Sequence, residues 1–178
     1  MYPLTKSFFD LALLRLAPQQ LPASGFLLSL VVVLFLLIET FGYHITVANW
    51  RVSFIVTIVD IGLMALFAKA VLDLSSHSGR LFKTLVALYG AGCIVQFLSI
   101  PFVALFIRSA AAENYRLANL TFFALLFFAG WQVLVNGHIY RHALNTKLGW
   151  GIIIALAFQV MSLLISIPLL NPIQGGAT

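Results

Sequence analysis

Runs of about twenty apolar residues, separated by short polar breaks, fill almost the whole chain; five stand out, at about residues 24–43, 52–73, 82–107, 117–139 and 149–170. A helix rises about 1.5 Å per residue and the hydrocarbon core of a bilayer is about 30 Å thick, so each run is long enough to cross it. The runs are continuous, which predicts helices and argues against the alternating strands of a membrane barrel. Ahead of them, Thr5 to Ala17 sets Lys6 and Asp10 toward one side of a helix and Phe8, Phe9, Ala12 and Leu16 toward the other, with Arg15 near the edge. Pro18 and Pro22 then break the chain. The expected fold is all-α: a polytopic bundle of five transmembrane helices preceded by a short interfacial amphipathic helix. Residues 1–23 form that helix and a proline-flanked linker, 24–170 the transmembrane domain, and 171–178 a short disordered tail. Asp10 and Arg15 interrupt the first apolar stretch, so the N-terminus reads as retained and not as a cleaved signal.

Composition agrees. Of 178 residues, 62% are hydrophobic and only 8% charged, against about a quarter charged in an ordinary soluble domain. The net charge of +5 would suggest nucleic acid in a soluble chain. Here the Lys and Arg residues sit at the ends of the apolar runs, which points to anionic headgroups and to topology and not to nucleic acid. With five spans, Lys6, Arg15, Lys69, Arg80, Lys83, Arg141 and Lys147 fall on one side, and Arg51, Arg108 and Arg116 on the other. The richer side is expected to be cytoplasmic, giving N-in, C-out. Cys93, the single cysteine, lies inside a run, so no intramolecular disulfide and no cysteine-based zinc or iron–sulfur site is expected.

Polar residues inside the runs carry the functional question, because an intramembrane charge costs a few kcal/mol. Glu39 lies near the outer end of the first run and Arg51 begins the second, which predicts a structural ion pair across a tight loop. Asp60 stands eight residues into the second run, at a depth comparable with Gln96 and Gln159. These three are expected to form one hydrogen-bonded cluster, either as glue between helices or as a proton or ion relay. Gly90-Ala91-Gly92 and Ala129-Gly130 permit close helix contacts, and Pro101 should kink the third span.

The most polar passage is "WQVLVNGHIYRHALNTKLGW", Trp131 to Trp150. His138 and His142 are one turn apart and could reach one metal ion, with His77 as a third ligand. Ile139 stands where an H-E-x-x-H zinc hydrolase has its glutamate, however, and two neighbours on one helix face cannot supply both axial ligands of a haem. The passage reads instead as a lipid-interface belt of Tyr140, Arg141, His142, Lys147 and Trp150, with Trp50, Tyr43 and His44 forming its counterpart outside. Ser75-Ser76-His77, near Asp73, reads as a solvated turn. No phosphate loop, nucleophile set or metal-binding acidic pair is recognisable, so neither an enzyme nor a cofactor is expected.

From "RLFKTLVALYGAGCIVQFLSIPFVALF" through "YRHALNTKLGW", roughly residues 80 to 170, the chain resembles the Yip (Ypt-interacting protein) family of small five-span membrane proteins. The carrying features are a basic loop leading into a span with Tyr89 and Pro101, then a span with Trp131 and a basic exit. The Asp-Leu-Tyr-Gly-Pro signature of the eukaryotic branch is absent, so the resemblance implies the bacterial inner-membrane type, without GTPase binding. The expected function is a non-enzymatic membrane protein that scaffolds a complex or organises bilayer, its partners being lipids and another membrane protein or a second copy. Two alternatives stand beside it: a small transporter or channel subunit using Asp60, Gln96 and Gln159, and a cofactor-binding subunit ligated by His77, His138 or His142.

Overall fold

The computed structural model describes residues 4–22 and 24–170. Helix α1 (Leu4–Ala12) and a 3-10 turn (Pro18–Gln20) precede α2 (Gly25–Val47), α3 (Trp50–Leu74), a second 3-10 turn (Ser78–Arg80), α4 (Leu81–Ala111), α5 (Tyr115–Leu144) and α6 (Leu148–Leu170). Helices α2 to α6 are each long and apolar enough to cross a membrane, so the chain is an integral membrane protein with an all-α bundle. The helices overrun the expected spans by a few residues because their ends are capped. Ser24 and Asn114 accept from backbone N–H groups of the first turns of α2 and α5, and Asn49 does so for α3. Left-handed Ala48, Ser76, Glu113 and Asn145 close the C-terminal ends of α2, α3, α4 and α5. Pro101 lies within α4, which continues to Ala111.

The five spans close into a ring whose order is not that of the sequence: α2 packs on α3 and α4, α4 on α5, α5 on α6, and α6 returns to α3. Helices α2, α3 and α6 each bury one stripe at helical spacing. On α2 it is Leu27, Val31, Phe35 and Glu39; on α3, Val56, Asp60, Met64, Ala68 and Leu72; on α6, Gly151, Ala155, Phe158, Ser162 and Ser166. The opposite faces expose Leu37, Phe54, Leu66, Phe123 and Leu164, the surface a bilayer covers. Gly137 and Gly151 set the α5–α6 contact: a methyl on Gly151 would fall on the Gly137 carbonyl oxygen.

The N-terminal helix is present but shorter than the expected Thr5–Ala17 stretch. It ends at Ala12, where Leu14 turns left-handed and Arg15 N–H closes back on the Asp10 carbonyl. Leu11 and Ala12 are buried and Phe8 lies against Gly90, so α1 is laid along α4. That cover explains why α4 is buried all round from Thr84 to Gly92. The chain then ties to α5 and α4: the Trp131 indole N–H donates to the Ala12 carbonyl at 2.8 Å, and Lys83 Nζ donates to the Gln19 carbonyl at 2.9 Å. Gln19 Nε2 donates to the His142 carbonyl. The expected tail over residues 171–178 lies outside the described residues.

Candidate functional site

The buried stripes meet at mid-bundle around a chamber of about 110 Å³. Every span contributes a polar side chain: Glu39 and Tyr43 from α2, Asp60 from α3, Gln96 from α4, Gln132 and Asn136 from α5, and Gln159, Ser162 and Ser166 from α6. Each contribution follows from helical spacing. Glu39 and Tyr43, Gln132 and Asn136, and Ser162 and Ser166 are i, i+4 pairs, which place both members on one face. Phe35, Met64 and Phe158 line the chamber's apolar part.

Asp60 is the hub. Tyr43 Oη donates to its Oδ2 at 3.1 Å and Ser162 Oγ donates to its Oδ1, joining α2, α3 and α6 through one carboxylate. Asp60 is 8% exposed and Glu39 6%, and the two carboxyl groups lie close enough to interact directly. Gln132 Nε2 donates to Asn136 Oδ1 at 3.0 Å. Glu39 Oε2 and Gln132 Oε1 are buried without a protein partner. Among the described residues no Lys, Arg or His lines the chamber. It is an acidic, amide-rich pocket with acceptor oxygens to spare.

Three further spaces adjoin it. One of about 220 Å³ lies between α2 and α4, shares Glu39, Tyr43 and Gln96 with the chamber and extends to Thr46 and Val103. Another, of about 210 Å³, lies between α4 and α5 and shares Gln96, Gln132 and Gln159. An apolar groove of about 1090 Å³ on the α5–α6 face shares Gln159 and Leu163.

The expected Asp60, Gln96 and Gln159 cluster is brought together on one wall system, although the partners that bond Asp60 are Tyr43 and Ser162. The expected Glu39–Arg51 pair is not formed: Glu39 turns inward to Asp60, and Arg51, one residue past the start of α3, is exposed. The helical phase decides this, since Glu39 continues the inward stripe of Val31 and Phe35. Tyr43 leaves the outer belt for the same reason. His44 stays outside the chamber, its ring stacked 3.7 Å from that of Trp50.

Trp50, Lys147 and Trp150 are exposed as a lipid-interface belt requires, and Arg141 and His142 are half-buried. Tyr140 is not part of that belt. It is 1% exposed and packs edge-on against Phe67, in a stretch of α5 that is buried all round from Val135 to Tyr140. His138 and His142 do lie one turn apart, with ring centroids at 4.6 Å. His138 Nε2 is engaged by the Leu16 carbonyl at 3.1 Å and His77 Nδ1 by the Ser75 carbonyl in its own loop. Among the described residues no three His, Cys, Asp or Glu side chains are grouped to hold a metal ion. Cys93 faces the Val31 carbonyl at 3.7 Å inside the bundle.

Tyr43, Gln132, Asn136, Ser162 and Ser166 are the site residues that the sequence reading missed. The available signal was their phase: each falls three or four residues from another inward polar residue. No protein-family model, no characterised protein and no solved structure matches the chain.

Proposed function

We propose that this protein is a non-enzymatic small transporter or channel subunit that binds a cation or a proton in the acidic chamber between its five spans. The observation that carries the reading is the convergence of two carboxyl groups and four amides on one space without a cationic side chain. Magnitudes favour a functional role over glue. An acidic side chain at mid-bilayer costs about 2.5–3.5 kcal/mol, and an interhelical hydrogen bond in a membrane returns about 0.6 kcal/mol. The two hydrogen bonds to Asp60 therefore leave a deficit of a few kcal/mol that apolar residues at Glu39 and Asp60 would not incur. A bound positive charge offsets it, because oppositely charged groups interact strongly where water is scarce. Scaffolding alone requires no such pair. The Yip-like pattern contributes span number and the bacterial inner membrane to this reading, and the seven-to-three distribution of basic residues supports an orientation with both Lys6 and Lys147 facing the cytoplasm.

The test is cation-driven or proton-driven flux in proteoliposomes, followed with an internal dye under an imposed potential. Wild-type protein should carry flux above empty vesicles, and Asp60→Asn and Glu39→Gln should each abolish it while remaining monodisperse. Both substitutions are isosteric, and the Asn side chain can still bond Tyr43 and Ser162. Wild-type flux indistinguishable from empty vesicles, or flux that survives both substitutions, rules the proposal out. A reporter fused after Thr178 that behaves as cytoplasmic overturns the orientation.

A further inference from the structure

Resting on the cation-binding reading of the chamber, we infer that its substrate is a lipophilic organic cation, a single ammonium head on an apolar tail, which reaches the chamber sideways from the bilayer between α5 and α6. The first observation is continuity. The apolar groove of about 1090 Å³ on the α5–α6 face shares Gln159 and Leu163 with the acidic chamber, so only these two side chains, both on α6, stand at the boundary a molecule lying across both would meet. The second is the match of shape to parts. The groove is bordered on α5 from Leu126 to Leu134, about 12 Å of helix, which suits a chain of about ten methylenes. The chamber is about 110 Å³, room for several water-sized groups and hence for a compact head group.

The third observation is chemical. A head group entering the chamber meets Glu39 and Asp60 together with the rings of Phe35, Tyr43 and Phe158. Carboxylates beside aromatic faces are the surroundings in which an alkylammonium is held, by charge and by cation–π attraction. The same set argues against a phospholipid: its phosphate would be repelled by the carboxylates, with no cationic side chain among the lining residues to receive it. Gly130 is the threshold on the lipid side. It is exposed, lines the groove, and a Cβ added there meets nothing within 4 Å. A large side chain at that position fills the groove without colliding with the bundle.

The experiment measures equilibrium binding of radiolabelled dodecyltrimethylammonium to the full chain in nanodiscs, alongside the small-cation flux assay on the same variants. Saturable binding is expected. Glu39→Gln and Asp60→Asn should each raise Kd at least tenfold, and dodecyl phosphate, with the same tail and an anionic head, should not compete. Gly130→Trp should also raise Kd at least tenfold while leaving small-cation flux at the wild-type level, which shows that the variant is folded. Binding unchanged in Gly130→Trp, or competition by dodecyl phosphate, overturns the route or the head-group assignment. Flux without dodecyltrimethylammonium binding overturns this inference alone and leaves the chamber's cation site standing. Loss of both in wild-type protein removes the two together.

Discussion

Gly151→Ala adds one methyl to the α5–α6 contact, and its effect can be worked from the positions already given. The new Cβ would fall on the Gly137 carbonyl oxygen and 3.0 Å from the Arg141 backbone nitrogen. An ordinary carbon–oxygen contact is about 3.3 Å or more, so the helices must part by about 1 Å. The obstructing atoms are backbone and cannot rotate away. Overpacking of a tight interior costs about 1–3 kcal/mol, and the upper end applies here. Replacing glycine by alanine in a helix returns up to about 1 kcal/mol, leaving a net loss of about 2 kcal/mol. Gly149, two residues earlier in the same helix, is the internal control: a Cβ there meets nothing within 4 Å. Gly149→Ala should be neutral or stabilising by a few tenths of a kcal/mol. Equilibrium unfolding in mixed micelles, titrated with a denaturing detergent, reads both variants. Equal stability of Gly151→Ala and Gly149→Ala would refute the backbone contact between α5 and α6, and with it the seam that carries Gln132, Asn136, Gln159 and Ser162 toward the chamber.

Other substitutions probe the rest of the account. Tyr89 Oη donates to the Ile61 carbonyl at 2.7 Å, so Tyr89→Phe should cost about 1 kcal/mol in the same unfolding titration; no loss would mean that this α3–α4 link is not made. Trp131→Phe removes the indole donor to the Ala12 carbonyl and should speed amide hydrogen exchange between residues 12 and 17 while leaving α6 unchanged. Uniform exchange throughout would mean that the N-terminal segment is not held by that bond. Protein purified from its own membrane should carry no stoichiometric metal and no haem band, since His138 is committed to Leu16; a visible absorption band would restore the histidine reading.

The helices were readable from the sequence because length and hydropathy alone dictate a membrane span. All five appear within a few residues of the expected limits, and the differences come from caps such as Asn114 and Asn145, which extend helices past the apolar run. The facing of residues was harder to read. In a uniformly apolar helix the inward and outward faces differ little in hydropathy, so the stripe of Leu27, Val31, Phe35 and Glu39 carries little contrast. Proximity in sequence therefore pairs Glu39 with Arg51, whereas helical phase sets it toward Asp60. Residue type alone sets Tyr140 at the interface, whereas α5 is buried all round from Val135 to Tyr140. Depth depends only on rise per residue, and Asp60, Gln96 and Gln159 all line the chamber; which side chains bond Asp60 depends on phase, and they are Tyr43 and Ser162. The ring order α2–α3–α6–α5–α4 depends on contacts between helices far apart in sequence, which no local pattern encodes.

Thiol accessibility tests the acidic chamber most directly. A single cysteine at Gln132→Cys, in a Cys93→Ala background, can be challenged with the cationic aminoethyl and the anionic sulfonatoethyl methanethiosulfonates, with Lys147→Cys as the exposed control. The cationic reagent should label position 132 and the anionic one should not, while both label position 147, and dodecyltrimethylammonium should slow the reaction at 132. Equal labelling at position 132 by the two reagents, or none by either while position 147 reacts, would contradict a cation-binding chamber between the five spans.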